Sequence, residues 1–225
     1  MNDGFKTAFV LPDYYKEKAL KKWGRFYDRF QKLVFLPWGG EDSFRRRCVD
    51  FASPTEGDQV LDVCCGTGTL TSRIAQRLGP DGQVIGVDLS GYMLDIARGK
   101  TRNVPVTFEK AGAENLPFVS GRFDMCFLSF ALHEMPKQAR QNTLRETRRI
   151  LRSGGRLFIV DYSLPAGILA ELAIRAFVRL VEGEAVCKML LEGSLLREVE
   201  ESGLNIKRRE LICSGMTQLI EAINP

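Results

Sequence analysis

Gly66 and Gly68 stand two residues apart directly after an apolar run, Val60, Leu61 and Val63, and an aspartate, Asp88, lies twenty residues beyond Gly68. Asp88 ends a second apolar run, Gln83-Val84-Ile85-Gly86-Val87. Glycines at that spacing let a chain leaving a buried parallel strand turn tightly and meet a ligand without a Cβ in the way. An acidic residue closing the next strand faces the turn across a crevice, where its carboxylate can accept both hydroxyls of a ribose. The pattern predicts a ligand that carries an adenosine.

The missing residues narrow that ligand. A dinucleotide fingerprint needs a third glycine three positions after the second, and Thr71 is there instead. A triphosphate cradle needs a lysine followed by serine or threonine, and Leu70-Thr71-Ser72 supplies no lysine. An adenosine with a compact, non-phosphate tail remains. Its ammonium would sit near Asp62 and its carboxylate near the free backbone donors that begin the next helix. S-adenosylmethionine answers that description; the alternative is a glycine turn that only closes a strand-helix corner.

The stretch from about Tyr27 to Tyr162 resembles the class I S-adenosylmethionine-dependent methyltransferases. Within them it is most similar to the branch of quinone-biosynthesis C-methyltransferases and bacterial phospholipid N-methyltransferases. The likeness rests on Phe26-Tyr27-Asp28, Asp62-Val63-Cys64-Cys65-Gly66-Thr67-Gly68, Ala113-Glu114-Asn115-Leu116-Pro117-Phe118 and Arg148-Arg149-Ile150-Leu151-Arg152-Ser153-Gly154-Gly155. The resemblance implies that Asp62, Cys64, Gly66, Thr67 and Gly68 surround the methionine moiety and that Asp88 holds the ribose. It further implies that Leu89 and Met93 flank the adenine, that Ala113 and Glu114 meet its edge, and that Tyr27, Ser129 and Phe130 complete the cofactor-binding set. Met93 also stands at helical spacing with Ile96 and Ala97, which suits a core residue equally well.

Ser129-Phe130-Ala131-Leu132-His133-Glu134-Met135-Pro136 follows the fourth expected strand, at a carboxyl end where such folds carry acceptor-facing side chains. His133, the single histidine, could take a proton from a phenol, amine or activated carbon as a catalytic base. A structural role, satisfied by nearby backbone, is the competing account. The quinone-methylating pattern usually shows arginine-asparagine where this chain has His133-Glu134, which leaves the acceptor open. Methyl transfer is an in-line displacement that needs orientation and exclusion of water more than an acid or base.

These residues require a scaffold, and from Leu61 to Tyr162 apolar strands alternate with helical segments, as in a parallel sheet with right-handed crossovers. The expected fold is α/β: a doubly wound, Rossmann-like, seven-stranded and mostly parallel sheet with an antiparallel last strand and added helical cover. Strands are expected near 59–64, 83–88, 105–110, 122–128 and 155–162, and helices near 69–78, 91–99 and 137–151, with Gly79-Pro80-Asp81-Gly82 and Ser153-Gly154-Gly155 as helix stops. Asn205–Cys213 and Met216–Ile220 read as two closing strands joined at Ser214-Gly215.

Two segments fall outside this core. Residues 1–53 are expected as an N-terminal helical cap on a methyltransferase core of 54–225. Within the cap, residues 13–51 are basic and aromatic (Tyr14, Tyr15, Trp23, Phe26, Tyr27, Phe30, Phe35, Trp38, Phe44) and break at Pro37-Trp38-Gly39-Gly40. The second segment, about 164–203, carries a helix within 166–192 whose narrow polar stripe of Glu171, Arg175, Arg179 and Glu182 predicts burial on most sides. Both are candidate covers for a greasy acceptor.

At 225 residues with 44% apolar and 27% charged side chains, the chain fits one well-buried domain. No basic-then-apolar leader and no apolar stretch of about eighteen residues is present, which predicts a cytoplasmic protein. Six cysteines without paired metal-ligand spacing, beside one histidine, predict no metal site and reduced thiols. A net charge of +4 is too small to imply a nucleic-acid partner by itself, and none is expected. Arg45-Arg46-Arg47, Arg148-Arg149-Arg152 and Lys207-Arg208-Arg209 read as solvated helix faces and strand ends that leave room for peripheral contact with anionic lipid. The expected activity is transfer of a methyl group from S-adenosylmethionine to a small, lipophilic acceptor such as a quinone precursor, a phospholipid amine or a related metabolite. A non-catalytic cofactor-binding or partner-activating protein, or a nucleic-acid methyltransferase, are the alternatives, and the sequence leaves the oligomeric state open.

Overall fold

The computed structural model describes residues 12, 17–79, 81–101, 105–181 and 193–225. Tyr14, Tyr15, Pro80, Glu182, Cys187 and the side chain of Trp23 lie outside that description. The chain runs α1 (Glu17–Val34), α2 (Gly40–Ala52), β1 (Gln59–Val63), α3 (Thr69–Leu78), β2 (Gln83–Asp88), α4 (Gly91–Lys100) and β3 (Val106–Lys110). It continues through β4 (Phe123–Ser129), α5 (Lys137–Ile150), β5 (Leu151–Tyr162), α6 (Ile168–Val181), α7 (Leu195–Glu201), β6 (Asn205–Ile212) and β7 (Thr217–Ile223).

The seven strands form one sheet in the order β3-β2-β1-β4-β5-β7-β6. β1, β2, β3, β4 and β5 pair in parallel, and β7 runs antiparallel to both β5 and β6. This is the doubly wound, Rossmann-like sheet expected from the alternation of apolar strands and helices. β1 shows why it forms: Val60, Leu61 and Val63 are all fully buried, with Val60 packing on one face and Leu61 and Val63 on the other, as the period of two in a central strand demands. One layer joins Leu61 and Val63 to Leu144 and Ile150 of α5 and Val199 of α7. The opposite layer joins Val60 to Phe44 and Val49 of α2 and Ile74 and Leu78 of α3.

Two stretches differ from expectation. Ser153-Gly154-Gly155 does not stop a helix, because α5 ends at Ile150 and β5 begins at Leu151 opposite Phe123, with a register shift before Met125. Gly154 takes φ +75° there and its N–H donates to the Asn224 carbonyl, so the irregularity is absorbed inside the strand. Nor is α6 buried on most sides. Ile174 and Val178 are buried with Phe177 against Tyr162, Leu164 and Met216, while Ile168, Leu169, Leu172 and Leu180 are exposed. One face of α6 meets the body of the protein, and the described residues place nothing over the rest. The break in the first segment appears as a short 3-10 turn, Leu36–Trp38, between α1 and α2.

Candidate active site

β1 and β4 are neighbours at the point where the strand order reverses, so their carboxyl ends open a crevice. The bend after β1 forms one wall. Asp88 Oδ2 accepts the Gly66 N–H at 2.8 Å and Oδ1 accepts the Ser90 N–H at 2.8 Å. Burial pushes the Asp88 carboxyl up, and these two backbone donors pull it down. A carboxylate offers about four acceptor positions, so two remain after the bend is satisfied.

The two glycines do different work. Gly66 has φ +54° and a Cβ there would meet nothing within 4 Å, leaving a bare main-chain surface. Gly68 has φ +72° and a Cβ would come within 2.8 Å of Ala97 Cβ and 3.0 Å of Phe108 Cζ, so its role is close packing of the bend against α4 and β3. Cys64 holds φ +58°, a left-handed conformation that a side chain disfavours.

Thr67 is buried and donates to Asp28 Oδ1 of α1 at 2.8 Å, and Lys100 Nζ sits 2.6 Å from Asp28 Oδ2. α1 is thereby tied across the bend to the end of α4. Asp62 lies beneath the bend, 1% exposed, where Oδ2 accepts the Thr71 hydroxyl at 2.6 Å. Burial raises it to about 7 despite the Thr71 hydroxyl and the charge of Arg45, and nearby Asp88 adds to the rise.

Arg45 belongs to this site and not, as its place in Arg45-Arg46-Arg47 suggests, to a solvated basic face: it is only 6% exposed. Its Nη1 donates to Ser129 Oγ at 3.0 Å, Nε lies 3.6 Å from Glu41, and among the described residues Nε has no hydrogen-bond partner. The signal was in the spacing, since Glu41, Arg45, Cys48 and Ala52 recur at helical intervals and share the buried side of α2.

At the end of β4, Phe130 turns the chain with φ +50° while its N–H donates to the Val160 carbonyl. Its ring lies 5.8 Å from Phe44, 5.4 Å from Tyr162 and 6.3 Å from the His133 imidazole. His133, in the short turn Leu132–Glu134, places Nδ1 2.7 Å from Asp161 Oδ1, and its backbone N–H donates to Asp161 Oδ2 at 3.3 Å. Both side chains are buried. Asp161 was not singled out from the sequence, although an acid within Ile159-Val160-Asp161 at the carboxyl end of an apolar strand demands a buried partner.

Beside these residues lies a cavity of about 350 Å³. Tyr27, Gln31 and Phe35 wall it from the N-terminal segment, Ile174 and Phe177 from α6, and Phe130, His133 and Tyr162 from the strand ends. Gln31 Nε2 donates to the Tyr27 hydroxyl at 2.8 Å. Leu89 is half-buried beside Asp88, and Glu114 accepts from Asn142 at 2.8 Å. Met93 and Ala113 are buried, the latter in the core layer of α5. Leu89 follows β2, Met93 lies in α4, and Ala113 and Glu114 lie in the loop after β3, while Tyr27, Phe130 and His133 gather at the cavity. Burial holds the Cys64 and Cys65 thiols well above their usual range and Cys48 at about 12, so these cysteines behave as small apolar residues.

The profile of a family described as methyltransferase domain matches residues 60–155. An uncharacterized methyltransferase, sll0829, of Synechocystis sp. is 33% identical over 199 residues, 87% of this chain and 90% of that protein. The chain belongs to the S-adenosylmethionine-dependent methyltransferases. A demethylmenaquinone methyltransferase of Lactobacillus johnsonii is 31% identical over 68% of this chain and 63% of its own length. The ubiquinone/menaquinone biosynthesis C-methyltransferase of Pseudomonas fluorescens is 32% identical over 67% of this chain and 59% of its own length. Among solved structures, a methyltransferase of Aquifex aeolicus shares the fold with a TM-score of 0.64 at 18% identity, over 94% of this chain and all of that one. The [4+2]-cyclase SpnF superposes with a TM-score of 0.68 at 20% identity, over 83% and 82% of the two chains. Membership makes the chain an enzyme that uses S-adenosylmethionine. The residues at the crevice fit that group: an open glycine surface at Gly66, two spare acceptor positions on Asp88, and a buried carboxylate at Asp62 to face a cation. Among the described residues no helix is long and apolar enough to cross a membrane, and no cluster could hold a metal.

Proposed function

We propose that this methyltransferase acts on a small, lipophilic acceptor held in the cavity between α1, α6 and the ends of β4 and β5. The observation that carries this reading is the cavity of about 350 Å³ with aromatic walls, lined by Phe130 and His133 just after the end of β4. A greasy acceptor gains about 25 cal/mol for each Å² of apolar surface it buries there. S-adenosylmethionine supplies the electrophilic methyl group when bound. Asp88 holds the ribose, Asp62 and Arg45 sit near the ammonium and carboxylate of the methionine portion, and Leu89, Met93, Ala113 and Glu114 frame the adenine. Cys64, Gly66, Thr67, Gly68 and Ser129 shape the wall between those ends, and Tyr27 screens the sulfonium from solvent. His133 stands where it can take a proton from the acceptor. The quinone-methylating relatives support an acceptor of this size and polarity. Exposed Leu36 in the turn between α1 and α2, and exposed Ile168, Leu169 and Leu172 on α6, further support an acceptor that partitions into lipid.

Incubation with S-adenosylmethionine carrying a labelled methyl group and a lipid and metabolite extract tests this. Label is expected in organic-soluble products. Label found only in water-soluble amines or in RNA would overturn the reading.

A further inference from the structure

α1 carries six lysines and arginines against two acids, Glu17 and Asp28, and Lys100 answers the charge of Asp28 from within the protein at 2.6 Å. The residues of α1 separate by kind. Lys18, Lys22, Arg25, Arg29 and Lys32 recur every three or four positions, and Trp23, Phe26, Phe30 and Leu33 recur at the same intervals beside them. One margin of the apolar stripe is occupied, since Tyr27 and Val34 line the cavity. The other margin, Phe26, Phe30 and Leu33, is exposed, Leu33 by 68%. Arg29 and Lys32 are exposed alongside it, and among the described residues no acid pairs with either. Basic residues elsewhere are already paired, Arg46 with Asp42, Arg47 with Glu210 and Arg208 with Glu221. A basic row next to exposed rings and leucines is the pattern of a helix lying in a lipid interface, with bases at the headgroups and rings among the upper acyl chains.

We propose that α1 docks this enzyme on an anionic bilayer, with Phe26, Phe30 and Leu33 entering the lipid and Arg29 and Lys32 meeting headgroup phosphates. The docking goes beyond the function proposed above and holds whichever acceptor fills the cavity. Charge complementarity selects the occupant: each base brought to an anionic surface adds about fivefold to binding. A second copy of the chain, packed about a two-fold axis, would instead set one basic row against another. α6, which also walls the cavity, adds exposed Leu169 and Leu172. Both helices that flank the cavity therefore present apolar side chains outward, and seating α1 in the interface brings the space between them to the lipid surface.

Flotation of the full chain with vesicles of equal parts phosphatidylcholine and phosphatidylglycerol tests the docking. Binding is expected there, weaker by more than about tenfold on phosphatidylcholine alone and sharply reduced at high salt. Arg29→Gln combined with Lys32→Gln should weaken it by about 10–100-fold, and Leu33→Ser should weaken it several-fold, with S-adenosylhomocysteine affinity unchanged in calorimetry. Arg197→Gln combined with Lys207→Gln removes the same charge from α7 and β6 and should leave vesicle binding within about twofold. Equal binding to both kinds of vesicle, or an equal loss in the two charge-altered proteins, overturns the proposal. Light scattering that shows a dimer for the wild type and a monomer for Leu33→Ser, with vesicle binding unchanged, assigns the exposed stripe to a second copy and overturns it too. A wild type that takes up S-adenosylhomocysteine and labels organic-soluble products without binding vesicles defeats the docking and leaves the cavity reading standing.

Discussion

The carboxylate of Asp88 and the main-chain N–H of Gly66, twenty-two residues apart in sequence, are joined at 2.8 Å, so the residue that closes β2 also sets the shape of the bend after β1. The side chain proposed to hold a ribose also holds up the wall next to it. Asp88→Ala should therefore weaken S-adenosylhomocysteine binding by about 1–3 kcal/mol in titration calorimetry and also loosen the bend. Asp88→Asn, which keeps an acceptor for one N–H, should lose less. Unchanged affinity in a folded Asp88→Ala protein would argue against the ribose assignment.

The proton on Asp62 gives a pH signature. Its folded value of about 7 lies above the ordinary 3.8. Between those values the native protein keeps a proton that the unfolded chain has released. Stability should consequently fall as pH rises from about 4 to about 7, by on the order of 2–4 kcal/mol from this group. Asp62→Asn should remove that slope in urea unfolding, and a slope that persists unchanged would assign it to other groups.

The same proton couples to the cofactor. A bound ammonium and sulfonium favour the ionised carboxylate, so binding should release a proton and tighten from about pH 6 to about pH 8. Calorimetry in buffers of different ionisation enthalpy measures the release directly. Arg45→Met, which removes the charge that draws Asp62 down, should move this dependence to higher pH.

Substitutions at the two glycines should separate folding from binding. Gly66→Ala meets no protein atom, so it should fold with a loss of about 1–2 kcal/mol for the left-handed backbone and yet lose most of its cofactor affinity. Gly68→Ala adds a clash with Ala97 and should lower the thermal midpoint more. The reverse order of midpoints would place the packing contact at the wrong residue.

Cys64 occupies a left-handed position with a side chain that forms no disulfide. Cys64→Gly should raise stability by up to about 1 kcal/mol, the relief of strain being partly offset by the larger freedom of glycine when unfolded. A drop in the urea midpoint would show that packing of the thiol outweighs the strain.

Much of this was legible beforehand because the strongest signals were local. β1, α3, β2 and α4 follow from runs such as Val60-Leu61-Asp62-Val63 and the turns after them, and the observed bounds fall within a residue or two of those expected. What escaped depended on partners distant in sequence. Arg45 reads as one of three consecutive arginines until α2 is laid on the sheet and carries it to Ser129, eighty-four residues away. Asp161 looks like one acid near a strand end until β5 lies beside β4 and brings it under His133. α6 was expected to be buried because its apolar residues run nearly all round, whereas packing uses the Ile174–Val178 side alone.

Phe108 is within 3.0 Å of where a Cβ would stand on Gly68 and within 2.7 Å of one on Gly86. A single ring thus occupies the volume that two glycines relinquish, one in the bend before α3 and one in β2. Neither position can enlarge by itself; trimming the ring should relieve the tightest contacts at Gly86, whereas Gly68 would still meet Ala97, so changes at residues 86 and 108 are inherited jointly and their effects on folding will not add.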